Sequence, residues 1–164
     1  IRQAQQSDAV ELKELFQNTV LVINRRDYSQ AEVEDWASCG NNLSNIKERI
    51  ETHCFVVAVN QQSQIVGFSS ITSQGYLHSM FVHKDFQGEG IATMLLEEIE
   101  RYAITAGITR ITSEVSLTAR PFFEKKGYVV EKEQKRKANQ LSLTNFLMAK
   151  EVAFLEYYNK RVTD

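Results

Sequence analysis

The sequence predicts an α/β fold of the α+β kind, a mixed and mostly antiparallel sheet of about six to seven strands flanked by helices. Three observations predict it. Apolar residues recur at helical spacing through the front of the chain, as far as Ile50. Three apolar runs follow with only short polar turns between them, which makes antiparallel neighbours. Beyond Val82, helix and strand patterns alternate, so helices are available to cover the sheet.

The elements follow in order. Residues 2–4 read as a short opening strand. Asp8 followed by Glu11 is a capping-box pattern, and Leu12, Leu15, Phe16 and Val20 continue it, so a first helix starts near Asp8. Ser29 with Glu32 repeats the pattern ahead of Val33 and Trp36 and predicts a second helix. Leu43, Ile46 and Ile50 predict a third, weaker one. Residues 53–60, 65–73 and 76–82 read as three strands joined by Gln61-Gln62-Ser63 and Gln74-Gly75. A helix of about sixteen residues is predicted next, with Ile91, Met94, Leu95, Ile99, Tyr102 and Ala103 on one face. Gly107 ends it. Residues 108–115 form a further strand, 119–126 a short helix closed by Gly127, and 128–133 and 141–149 the last strands. The domain thus spans 1–150, and 151–164 is a C-terminal tail in which Val152, Leu155 and Tyr158 keep helical spacing.

Composition narrows the function. At 164 residues, 43% hydrophobic and 24% charged, the chain has the balance of one globular domain. Its 19 Lys and Arg against 21 Asp and Glu argue against nonspecific nucleic-acid binding, which rests on excess positive charge. Cys39 and Cys54 are too few for a disulfide framework or a zinc site, so two ordinary thiols and no metal are expected. Charges at Arg2, Asp8, Glu11, Lys13 and Glu14 leave no signal-peptide core, and the run from Cys54 to Val59 is far short of a membrane span. A cytoplasmic location without membrane contact is the expectation. The chain opens at Ile1, and what precedes it is left open, as is homodimerisation.

The chemistry concentrates between Val82 and Thr93, where a strand runs into a helix through Gln87-Gly88-Glu89-Gly90-Ile91-Ala92. Glycines there let backbone N–H groups turn towards one point and approach a ligand closely. The helix N-terminus adds partial positive charge and unpaired donors, so a diphosphate fits without a lysine. The bland alternative is a turn that merely caps a helix. A Walker loop is excluded, because Ile91 and Ala92 follow Gly90 where Lys and Ser or Thr are required. A dinucleotide fingerprint, with Glu114 as ribose partner, is a distant alternative. Thr93 stands in place of its third glycine, and the preceding strands look antiparallel.

These residues resemble a known family. Gln87-x-x-Gly90-x-Ala92 is similar to the acetyl-CoA signature of the GNAT superfamily of N-acetyltransferases at each fixed position. The stretch from Ser116 to Tyr128, with Ala119, Phe122, Phe123, Glu124, Lys125 and Gly127, resembles that family's second motif. Tyr28-Ser29 followed by Trp36 resembles a bacterial branch of uncharacterised members, and the likeness runs over residues 2–150. It implies acetyl-CoA as co-substrate and an amine of a small molecule or peptide as acceptor. It implies that Met80, Phe81 and Val82 meet the pantetheine arm, as an added strand would. The diphosphate would fall to the N–H groups of Gln87, Gly88, Glu89, Gly90, Ile91 and Ala92, with Thr93, and Ser116 and Phe123 would also border the cofactor. Two departures stand out. Ser116 replaces the usual Asn, and Phe123 replaces the Tyr that often protonates the departing thiolate.

Amine acetylation by a thioester requires a neutral amine, a polarised carbonyl and a proton for the sulfur. Strand alternation places Tyr76, His78 and Met80 on one face, so His78 and Tyr76 are the catalytic candidates. In the serotonin N-acetyltransferases, which this stretch resembles, a catalytic histidine occupies the place of His78. An ordinary histidine titrates near neutrality, which suits a base, and the plainer alternative is a hydrogen-bonded histidine without a catalytic part. Tyr28 and Trp36 are candidates for the acceptor pocket. Glu114 is a weaker candidate, and the charged run from Glu131 to Lys137 reads as a solvated hairpin. Direct attack is expected over a covalent intermediate, since no Ser-His-Asp or Cys-His constellation is visible. The alternative of another class is a CoA-binding regulatory module, which the missing Tyr at 123 permits.

Overall fold

The computed structural model describes residues 1–152 and Val162. Beyond Val152, the helical tail expected through Leu155 and Tyr158 lies outside the described residues. Strand β1 (Arg2–Gln3) precedes helices α1 (Ala9–Val22), α2 (Gln30–Ser38) and α3 (Leu43–Thr52). An antiparallel meander follows, β2 (Cys54–Val59), β3 (Ile65–Ile71) and β4 (Leu77–Val82), and then α4 (Ile91–Thr105). The chain continues through β5 (Arg110–Ser116), α5 (Arg120–Lys125), β6 (Val129–Lys137) and β7 (Ser142–Glu151). No helix among the described residues is long and apolar enough to cross a membrane.

The helix starts show which local signals act. Ser29 and Glu32 form the expected reciprocal box: Glu32 N donates to Ser29 Oγ at 3.2 Å, and Ser29 N to Glu32 Oε1 at 2.9 Å. The Asp8–Glu11 box does not form. The chain reaches α1 through a 3-10 turn at Gln6–Asp8, which turns the Asp8 carboxylate back to Gln5 N, at 2.7 Å, and to Arg2, at 2.9 Å. Glu11 instead accepts from Ile65 N at 2.9 Å and ties α1 to the start of β3.

The strands form two antiparallel sheets, ordered β1-β2-β3-β4 and β5-β7-β6. α4 covers one side of both with Leu95, Leu96, Ile99 and Ala103, packed on Val56, Val66, Leu77, Ile111 and Met148. Each large apolar side chain buried in this way contributes about 1.5–3 kcal/mol. α1 and α3 cover the other side of the first sheet, where Leu12, Leu15 and Ile46 meet Phe55, Val57 and Phe68.

The sheets touch at one end of β4 and β5. A parallel bridge joins Tyr76 to Thr112, Thr112 N donates to Gly75 O at 3.0 Å, and Ser113 Oγ donates to Leu77 O at 2.8 Å. Beyond these contacts the two strands diverge into a cleft, and among the described residues no backbone bond joins them there. Gly75 makes the junction sterically possible. Its φ is +89°, and a Cβ would lie 2.5 Å from Arg110 O. Gly75→Ala is therefore expected to cost about 2 kcal/mol or more, read as a lowered denaturation midpoint. A midpoint equal to the parent's would show that the junction yields.

Two strand boundaries differ from expectation for physical reasons. β4 begins at Leu77, since Tyr76 contributes only the bridge. β6 runs to Lys137, beyond the residue 133 read from its apolar start, because the charged run pairs with β7 up to Lys137–Ser142. The hairpin that follows is held by Asp35 of α2, whose carboxylate accepts from the N–H groups of Asn139, Gln140 and Leu141 at 2.9–3.1 Å. The meander before α4 also disposes of the dinucleotide alternative, which needs βαβ units.

Candidate active site

The divergence of β4 from β5 opens a cleft of about 740 Å³. It is bordered by Met80 and Val82 on one strand, Ser116 on the other, and the loop into α4 at one mouth. His83 N donates to Val66 O at 2.8 Å, which fixes the phase of pairing with β3. Antiparallel alternation then turns the backbone groups of Met80 and Val82 away from β3, towards the cleft, and those of Phe81 towards β3.

The loop is built to present backbone. Gly88 and Gly90 sit at φ of +77° and +79°, and a Cβ on either would meet nothing within 4 Å. Gly90 is the residue that opens α4. The N–H groups of Ile91, Ala92 and Thr93 in the first turn have no carbonyl to reach inside the helix, so they remain for an anion. Gln87 acts through its side chain: Nε2 donates to Val82 O at 2.7 Å and pins the loop to the strand end. Thr19 Oγ1 donates to the same carbonyl at 3.0 Å. Glu89 is exposed and is not among the residues lining the cleft.

His78 does not lie where strict alternation put it. Ser79 pairs with Ser70 and Leu77 with Ile71, which leaves His78 as the extra residue of a β-bulge. Ser69 Oγ donates to Ser79 O at 2.7 Å, and the Ser70 and Ser79 hydroxyls lie 2.7 Å apart, so the bulge is fixed by buried bonds. As a result His78 and Met80 do not share a face. Met80 packs on the α4 side, whereas His78 meets Arg49 of α3, its Nε2 3.5 Å from Arg49 Nη1. The rings of His53 and Tyr76 lie 5.7 and 6.1 Å away. His78 keeps an exposed surface. Crowding by the surrounding cleft wall first, then the charges of Arg49 and His53, lower its imidazole to about 4, a shift that solvent at the exposed ring tempers. Tyr76 is raised to about 12, by burial first and by nearby Glu114 second, so it keeps its proton. Glu114 is itself held by Arg136 at 3.1 Å.

Phe123 lines the cleft yet is only 2% exposed, set edge-on between Phe122 and Tyr128 at 5.4 and 5.2 Å. Ser116 Oγ accepts from Ala119 N at 3.1 Å and shapes the turn into α5. Tyr28 and Trp36 line the opposite wall, 5.7 Å apart. The Tyr28 hydroxyl is committed on both sides, donating to Thr144 O at 2.6 Å and accepting from Leu117 N at 2.9 Å. Tyr28 therefore shapes the wall and braces β7 against the turn that follows β5.

Two cleft residues escaped the sequence reading. The Thr118 hydroxyl is buried without a partner among the described residues, beside Ser116 and Ala119. Nothing local in the sequence marks it. Arg49 was legible in principle, because Ile46, Arg49 and Ile50 fall at the spacing that places them on one side of a helix.

Fold and cleft together define the class of protein: an acetyl-CoA-dependent N-acyltransferase. The acetyltransferase (GNAT) domain model matches residues 24–151, most of the chain, and the chain belongs to that family. The uncharacterized N-acetyltransferase YafP of Escherichia coli (strain K12) is 29% identical over 149 residues, covering 90% of this chain and 93% of that protein. A GCN5-related N-acetyltransferase from Rhodopseudomonas palustris superposes with a TM-score of 0.88 at 27% identity, over 92% of this chain and 94% of its own. The PaiA N-acetyltransferase of Thermoplasma acidophilum, solved in complex with coenzyme A, shares the fold with a TM-score of 0.75 at 18% identity, over 92% and 96%.

Proposed function

We propose that this chain acetylates the primary amine of a small molecule or peptide, by direct attack of that amine on acetyl-CoA. The observation that carries the reading is continuity. The Val82 carbonyl is held by Gln87 and Thr19, while the backbone of Met80 and the N–H of Val82, turned away from β3, lead into the amides of Gly88 to Thr93 at the mouth of α4. A pantetheine arm can pair with the first as an added strand, and a diphosphate can take the second. The solved PaiA relative, which holds coenzyme A, supports the assignment.

The residues divide the remaining tasks. His78 is assigned the proton the attacking amine must lose. Its imidazole is held at about 4, below the near-neutral range that suited it from the sequence, so this role requires the bound acceptor to raise it. Tyr76 keeps its hydroxyl proton and serves as a hydrogen-bond donor at the cleft floor. Cys39 lines the cleft, but burial first and Asp35 second push its thiol up, so it stays protonated and is no nucleophile. That favours direct attack over a covalent relay. The test is thiol release from acetyl-CoA across a panel of amines, with the acetyl group located on the amine by mass. Thiol release without an acetylated acceptor would overturn the reading.

Phe123 has no proton to give, so it is assigned to packing. Phe123→Tyr is expected to fold and to turn over as fast as the parent or faster. The added oxygen in a tight aromatic cluster should lower stability by about 1 kcal/mol. Loss of all turnover in a variant that still binds CoA would show that the site rejects a hydroxyl there.

A further inference from the structure

Arg49 enters the cleft from the last turn of α3, half-buried beside His78. Its Nε donates to Asn45 O at 3.3 Å and its Nη1 faces His78 Nε2. Among the described residues no carboxylate forms an ion pair with it. The carboxylate on the cleft wall, Glu114, is already taken by Arg136. A cation near a helix C-terminus is favoured by the dipole alone, but that needs no more than a solvated side chain. This one is drawn inward, where a guanidinium cannot shed its charge and gains from a planar, two-oxygen partner.

We propose that Arg49 receives a carboxylate of the acceptor, so that the substrate is an amine carrying a carboxylate on an apolar skeleton. The inference rests on the amine-acetylation reading of the same cleft. The apolar part follows from the wall beside it, where Phe81 packs edge-on against Phe16 at 5.1 Å and Trp36 at 6.1 Å. Pairing also has a chemical consequence. Arg49 donates only, so in its long 3.5 Å contact His78 Nε2 is the accepting side, and a carboxylate on the guanidinium would compete with that contact. The arriving acceptor thereby frees a lone pair next to its own amine and offsets the positive charge that disfavours a protonated His78.

The experiment compares leucine and phenylalanine with leucinamide, phenylalaninamide and 1,4-diaminobutane in thiol release at saturating acetyl-CoA. The acids are expected to exceed their amides by about tenfold or more in kcat/KM. Arg49→Gln should erase that preference through KM, while CoA affinity by calorimetry stays at the parent value. Arg49→Lys should restore part of it. Equal use of acids and amides by the parent, or an unchanged preference in Arg49→Gln, overturns the inference and leaves acetylation standing. If Arg49→Gln fails to bind CoA, the parent's acid-to-amide ratio and the Arg49→Lys variant decide. Absence of release with every amine overturns acetylation itself and this inference with it.

Discussion

Gly90→Glu is expected to abolish CoA binding while leaving the chain folded. The position is one where a side chain has room but no welcome. At φ of +79° every residue with a Cβ is strained, at about 1–2 kcal/mol, yet nothing in the protein lies within 4 Å of where that Cβ would go. The fold should therefore survive, because α4 is anchored further along by Leu95, Leu96 and Ile99. The empty space is the approach to the first-turn amides of α4, and a glutamate carboxylate there is itself an anion suited to a helix mouth. It would occupy those donors and repel a diphosphate. Gly90→Ala separates the two effects, adding strain without charge, and should weaken binding far less. Calorimetric titration with CoA, beside a thermal melt of each variant, makes the comparison. Unchanged affinity in folded Gly90→Glu would remove the diphosphate from this loop.

The loop and the order of elements were legible in the sequence because both are local. Glycine at 88 and 90, a helix start and a strand end lie within a few residues of one another, and apolar spacing reports each element separately. Ser29 with Glu32 worked for the same reason. Asp8 with Glu11 failed because other partners won: Gln5 N and Arg2, a few residues earlier, took the first carboxylate, and Ile65 N, far along the chain, took the second. The bulge at His78 was not legible, since it depends on register against β3 and on the buried Ser69, Ser70 and Ser79 hydroxyls. One inserted residue reverses which way a side chain points. That is why alternation along β4 put His78 with Met80, and why Arg49, a helix away in sequence, is its actual neighbour. The Asp35 clasp on the hairpin at Asn139 joins residues about a hundred positions apart and leaves no local trace.

His78→Ala is expected to lower turnover by about a hundredfold or more, the usual size of a general-base contribution, with CoA affinity little changed. The bulged ring lines the cleft, and the backbone proposed to meet the cofactor belongs to Met80 and Val82. The pH dependence follows from the direction of the shift. In the free protein the imidazole is pushed down to about 4 from its ordinary 6.5, by the packed wall, then Arg49 and His53. kcat/KM reports the free enzyme, so the limb that His78 imposes should fall near pH 4 and not near 6.5, and His78→Ala should lack it. Stability carries the matching sign. A histidine whose folded value is depressed contributes fully above 6.5, and that contribution is lost as pH falls towards 4. His78→Ala should therefore be less sensitive to acid than the parent in that window, with His53, also lowered by burial and by Arg49, left to account for the remainder. A purely structural histidine would show the stability effect alone. If the variant keeps near-normal turnover while its acid sensitivity falls, the proton goes to solvent or another group, and the bulge serves only to shape the wall.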